Sequence, residues 1–116
     1  MTNAEIINDE DELYRRLMHY YVKEDGKVSS AAFQPSRNGR QDAISVDLAR
    51  KTTAEITLGR DDRGFRLGGL LVAVPRSVGM EVEYRPQPDN NSHCLIVGEF
   101  TMTNRRKLAD ATRVVV

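Results

Sequence analysis

His93 and Cys94 stand side by side at the start of an apolar run, "HCLIV", and bring together a proton carrier and a potential nucleophile. Imidazole titrates near neutrality and suits general acid–base work. On a strand, however, adjacent side chains leave opposite faces, so a direct Cys94/His93 nucleophile pair is disfavoured and Cys94 reads as a small apolar filler. A second group comprises Ser29, Ser30, Ser45 and Asp47. If "KVSSAAF" and "AISVDL" are neighbouring strands, one of these serines lies near Ser45 and Asp47 on a polar sheet face able to hydrogen-bond a ligand. No G-x-S-x-G turn accompanies them, so the usual strand-to-helix setting of a hydrolase serine is missing. Arg15, Arg16 and His19 form a third set, expected to meet a partner. A basic rim of Arg37, Arg40, Arg50, Lys51, Arg60, Arg63 and Arg66, with the triplet Arg105-Arg106-Lys107, offers contacts to phosphates.

The elements that position these groups follow from periodicity. "DEDELYRRLMHYYV", residues 9–22, reads as the principal helix: Asn8 or Asp9 caps it, acids fill its first turn, and Leu13, Leu17 and Tyr21 make an apolar stripe. Arg15, Arg16 and His19 then fall on its outer face, with Glu12 and Arg16 spaced as a helical ion pair. From Lys27 the period changes toward two, giving a strand "KVSSAAF", a loop "QPSRNGRQD" and a strand "AISVDL" with Ile44, Val46 and Leu48 on one face. Thr52-Thr53-Ala54-Glu55 opens a short helix that runs to Leu58 and stops at Gly59, and "RDDRG" reads as a surface turn. "FRLGGLLVAVPRSVGM" is either one strand broken at Gly68-Gly69 or a strand followed by a helical turn between Pro75 and Gly79, the second being preferred. "MEVEYR" alternates, with Met80, Val82 and Tyr84 inward. Cys94 to Val97 is apolar on both faces and suits an interior strand. Thr103 or Asn104 caps a last helix, "RRKLADA", and "TRVVV" closes the chain as an edge strand. The expected fold is α+β: a small, mostly antiparallel sheet of about five strands, one principal N-terminal helix on one face, and one or two short helices.

Composition narrows the function classes. At 116 residues with 40% apolar content, the chain fits one domain over residues 1–116, with 1–8 as a disordered or short strand lead-in. It carries no apolar stretch near the roughly 20 residues that span a bilayer. Its acidic start lacks the basic and apolar parts of an export signal, which predicts a cytoplasmic protein without membrane attachment. One cysteine agrees with a reducing compartment and, beside one nearby histidine, falls short of a metal set; no metal or cofactor is expected. The "NNS" at residues 90–92 matches a glycosylation acceptor, a chance match in a chain without export. Seventeen basic and seventeen acidic residues cancel, which removes any global pull toward nucleic acid. The distribution is uneven: residues 1–25 carry −4 and residues 26–116 carry +4, an asymmetry that suits an anion or another subunit.

In order, Arg15 or Arg16, then Ser29-Ser30 followed by Phe33, then Glu81-Val82-Glu83 resembles the arginine, serine and E-x-E pattern of mono-ADP-ribosyltransferases. That resemblance implies NAD handling, with these groups holding NAD and polarising its glycosidic bond. It departs from the family in placing the arginines on a helix and in the shortness of the chain. With no Gly-rich phosphate cradle, metal quartet or nucleophile turn, the favoured reading is a small intracellular binding or subunit-interaction module without catalytic activity, pairing with a protein partner or with itself through the apolar "VVV" edge. The alternatives are a small enzyme using His93 with Asp47 and Ser29 or Ser30, including the NAD-handling form, and a phosphate-backbone binder using the arginine loops. Aromatics are only 6% of the chain and do not interleave with those arginines, which weakens the last.

Overall fold

The segment read as the principal helix is a strand. In the computed structural model, which describes residues 5–59 and 64–116, β1 is Glu12–Met18, and residues 9–22 hold no α-helix, only a 3-10 turn at His19–Tyr21. Leu13 and Leu17 are four apart, a spacing that fits a helical stripe, but they also occupy inward positions of a strand with Arg15 in the inward slot between them. A charged residue at that slot hides the period of two. Pairing settles the matter: β1 aligns along its whole length, from Glu12 to Met18, with β3, Phe65–Leu71. The Asn8 or Asp9 cap is therefore absent; instead, Asp11 accepts from the Asn8 amide in a turn before the strand.

The expected strand "KVSSAAF" is a second correction. Only Val28 bridges to Val22, and Ser30–Phe33 is a 3-10 turn capped by Ser29, whose Oγ accepts from the Ala31 amide. A serine that satisfies a local amide competes with an extended ladder. The turn packs on the last helix and buries Phe33 in the core.

The remaining elements largely follow the local pattern. β2 is Ala43–Leu48, with Ile44, Val46 and Leu48 buried. α1 is Ala54–Leu58, capped by Thr53, which accepts from the Ile56 amide, and ended by Gly59 at a φ of 86°, where a side chain would be strained. β3 passes into α2, Ala73–Ser77, holding Pro75 near its start and followed by Gly79; β4 is Glu81–Tyr84. β5 is His93–Val97. α3, Met102–Ala111, starts three residues earlier than "RRKLADA" because Thr101 is the cap, accepting from the Asn104 amide. β6 is the short strand Arg113–Val114. The turn expected at residues 60–64 lies, apart from Gly64, outside the described residues.

Among the described residues, these strands form one six-stranded sheet, ordered β4-β5-β2-β1-β3-β6, in which every ladder is antiparallel. The sheet thus has six strands, not about five. Phe33, Val72, Met80, Leu108 and Ala109 join Leu13, Leu17, Val46, Leu48 and Ile96 in a single buried cluster. Each large side chain removed from water there contributes roughly 1.5–3 kcal/mol. Leu58 of α1 and Leu67 of β3 are buried outside that cluster, and α1 packs on β1 and β3. The C-terminal "VVV" lies at the edge of the sheet, on and after β6: Val114 packs on the core, the Val115 amide and Val116 carbonyl bond both sides of Leu67, and the Val116 side chain is exposed. No helix among the described residues is long and apolar enough to cross a membrane.

Candidate functional site

The site begins where two strands separate. β1 and β2 pair only at Leu13 with Leu48 and at Tyr14 with Asp47, so the first half of β2 has no strand on its β1 side. Arg15 takes up the gap. Its Nη1 donates to the Ser45 carbonyl at 2.8 Å, while Nε and Nη2 donate to the Ala32 carbonyl at 3.2 and 2.9 Å, and its guanidinium lies 5.9 Å from the centre of the Phe33 ring. A central strand is thereby tied to the 3-10 turn through one cation. None of the ion pairs among the described residues involves Arg15. Burial pulls its pKa down to about 10, which still leaves the group charged at neutral pH.

Arg15 forms part of the wall of a cavity of about 350 Å³ between the free edge of β2 and the loop that precedes it. Ala43, Ile44 and Leu95 give this cavity an apolar side; Gln34, Ser36, Arg40 and Ser45 give it a polar rim. Such a combination, an apolar wall with a few convergent polar groups, is the usual form of a small-molecule site. Arg40 is held by Asp42 at 2.9 Å, an exposed pair in which the arginine pKa is raised and the aspartate pKa lowered by their hydrogen bond. A hollow of about 410 Å³ against the end of α3 is larger, but its wall mixes Asp25 and Asp110 with Lys27 and has no buried cation.

Ser45 belongs to a second arrangement. His93 on β5 accepts or donates at 3.2 Å to Ser45 Oγ through Nε2, and its Nδ1 is 2.7 Å from the Arg85 carbonyl. A carbonyl can only accept, so the Nδ1 position carries the proton. In the neutral ring, Nε2 is therefore the bare nitrogen, and the Ser45 hydroxyl donates to it. Asp47, the register partner of His93, bonds elsewhere: it accepts from Asn90 Nδ2 at 2.8 Å and from Ser92 Oγ at 3.0 Å, fixing the entrance to β5. Cys94 is fully buried on the opposite face, and desolvation pushes its thiol up to about 11.

The other residues singled out in the sequence scatter. Ser29 caps its turn and Ser30 Oγ faces Met102 Sδ at 3.5 Å, so neither serine is turned toward Ser45 and Asp47. With the helix replaced by a strand, Arg15, Arg16 and His19 no longer share a face: Arg16 is exposed over the Phe65 ring at 4.1 Å, and His19 lies beyond β1 near the Gly64 carbonyl. Arg37 is exposed; Arg50 is tied to Glu5 and Asp11, Lys51 to Glu5, and Arg66 to the Val116 carbonyl. Arg60 and Arg63 lie outside the described residues. Arg105 is half-buried, its Nε without a partner among the described residues, while Arg106 and Lys107 are exposed on α3. Among the described residues, the rim is thus several separate ion pairs and exposed surface groups.

The E-x-E pair does not reach the arginine either. Glu81 and Glu83 lie on β4, separated from β1 by β5 and β2, and are bound to Arg76 and Arg85. Gln34, Ser36, Leu95 and the Arg85 carbonyl were not foreseen as site components. Gln34 and Ser36 belong to a segment whose turn-forming composition signalled a loop but not what it would cover. Nothing in the sequence marks a particular backbone carbonyl as a histidine partner. The described residues contain no group of three or more potential metal ligands. No family model, curated protein or solved structure matches the chain.

Proposed function

We propose that the chain is a binding module for a small molecule that ends in a carboxylate or phosphate and carries a short apolar body. The observation that supports this is Arg15: a desolvated cation without a carboxylate partner among the described residues, in the wall of a cavity whose other side is Ala43, Ile44 and Leu95. Five guanidinium N–H groups are available, and the three hydrogen bonds described leave donors for an anion. An anionic group placed there would face fixed donors in a setting that strengthens charge-assisted hydrogen bonds. The cytoplasmic placement and a protein partner belong to the same reading; the lone cysteine and the uneven charge of the sequence support them.

The test is thermal unfolding with hexanoate, phenyl phosphate and the neutral hexanamide, on the native chain and on Arg15→Met. Saturable stabilisation by at least one anion, lost in Arg15→Met and not produced by hexanamide, is the expected result. At a ligand concentration of 100 times Kd, the stabilisation is about 2.7 kcal/mol. Equal responses of native and variant protein, or no response to either anion, would overturn the proposal.

A further inference from the structure

We infer that Ser45 is a nucleophile activated by His93, and that the molecule held in the cavity is an ester whose acid part carries an additional anionic group. Three observations converge. Ser45 is exposed and forms part of the cavity wall. Its hydroxyl is 3.2 Å from His93 Nε2, within the reach of a serine and its base in an unliganded site. The other ring nitrogen is held at 2.7 Å by the Arg85 carbonyl, which fixes the tautomer that leaves Nε2 free to take a proton. That third group performs the orienting task that a carboxylate performs in a serine triad. Asp47 is engaged by Asn90 and Ser92 and is not needed for it.

The step balances with water as the only co-reactant. Ser45 Oγ bonds to the ester carbonyl carbon as its proton passes to His93 Nε2. The bond from that carbon to the alcohol oxygen then breaks, and the imidazolium returns the proton to the departing alcohol. Water, giving a proton to Nε2, attacks the carbonyl carbon of the acyl-serine; the bond from that carbon to Ser45 Oγ breaks, Oγ recovers the proton from Nε2, and an acid is released. No oxidation or reduction takes place. The substrate class rests on the binding reading, since Arg15 would hold the additional anionic group; the nucleophile does not.

The experiment separates the two. An uncharged alkyl fluorophosphonate is incubated with the full chain, and the adduct is located by peptide mass. Labelling at Ser45 is expected, absent in Ser45→Ala and slowed at least 100-fold in His93→Gln. Ser45→Cys supplies a second readout: iodoacetamide alkylates the new thiol at least 10-fold faster with His93 present than in a Ser45→Cys/His93→Gln double variant. Hydrolysis of 4-nitrophenyl hemisuccinate, a mono-ester with a free carboxylate, is then compared with that of neutral 4-nitrophenyl acetate. Arg15→Met should lower kcat/KM at least 10-fold more for the first than for the second. No adduct on Ser45 in a folded native chain, or alkylation rates independent of His93, would overturn the nucleophile whatever the outcome of anion binding. Ser45 labelling together with equal effects of Arg15→Met on both esters would overturn the substrate class alone.

Discussion

Replacing Arg15 with methionine tests whether this arginine is kept for a ligand or for the fold, because the two roles predict different balances. The variant keeps an unbranched apolar stem beside Phe33 and removes the guanidinium with its three hydrogen bonds to two carbonyls. Leaving the Ala32 and Ser45 carbonyls unpaired costs about 1–3 kcal/mol each, toward the low end where water from the cavity can reach them. Against this, the native charge is itself unfavourable: its pKa, drawn down to about 10, corresponds to at most roughly 3 kcal/mol of penalty, less where the side chain meets solvent. The opposing effects leave a net change within about 2 kcal/mol, or about 8 °C in Tm for a domain of this size. Urea unfolding monitored by circular dichroism measures it, with ligand response followed on the same samples. A loss above about 4 kcal/mol would refute the reasoning, since Arg15 would then be a structural clamp whose hydrogen bonds outweigh its desolvation.

Other perturbations test the elements that carry the site. Cys94 should resist a thiol-reactive disulfide at pH 8 in the native state and react at once in denaturant, because it is fully buried and its thiol, raised to about 11, is only about a thousandth ionised there. A folded-state thiol pKa above its unfolded value means that the native state retains the proton longer. Its contribution to stability therefore declines as pH rises above about 9, the loss continuing to about 11; Cys94→Ala should remove that part of the alkaline decline in a pH series of unfolding curves. Gly98→Ala should destabilise by about 1–3 kcal/mol in a denaturant titration, since its new Cβ would lie 2.6 Å from Met80 Cγ and 3.2 Å from the Met80 backbone. Thr101→Ala should cost about 1 kcal/mol by removing the α3 cap, and Thr101→Asn should restore most of it.

The features legible in the order of residues alone were those with local causes. The alternation of "AISVDL" and "MEVEYR" marks β2 and β4, the threonines before Ala54 and the glycine after Leu58 bound α1, and Pro75 inside its first turn with Gly79 past its end marks α2. Each is decided by neighbours a few residues away, through side-chain direction, a capping hydroxyl or a permitted φ. That Arg15 and Ser45 line one cavity was hidden, although both residues stood out for their chemistry, because it takes long-range pairing to extend residues 12–18 along β3. An inward arginine between Leu13 and Leu17 looks helical until the partner strand, far along the chain, supplies the ladder hydrogen bonds and the Ala32 and Ser45 carbonyls satisfy the charge. The same holds for His93: its ring is oriented by the Arg85 carbonyl and meets Ser45 only because β5 lies between β4 and β2. Backbone groups are alike at every residue, so their placement by long-range pairing leaves no mark in the order of side chains.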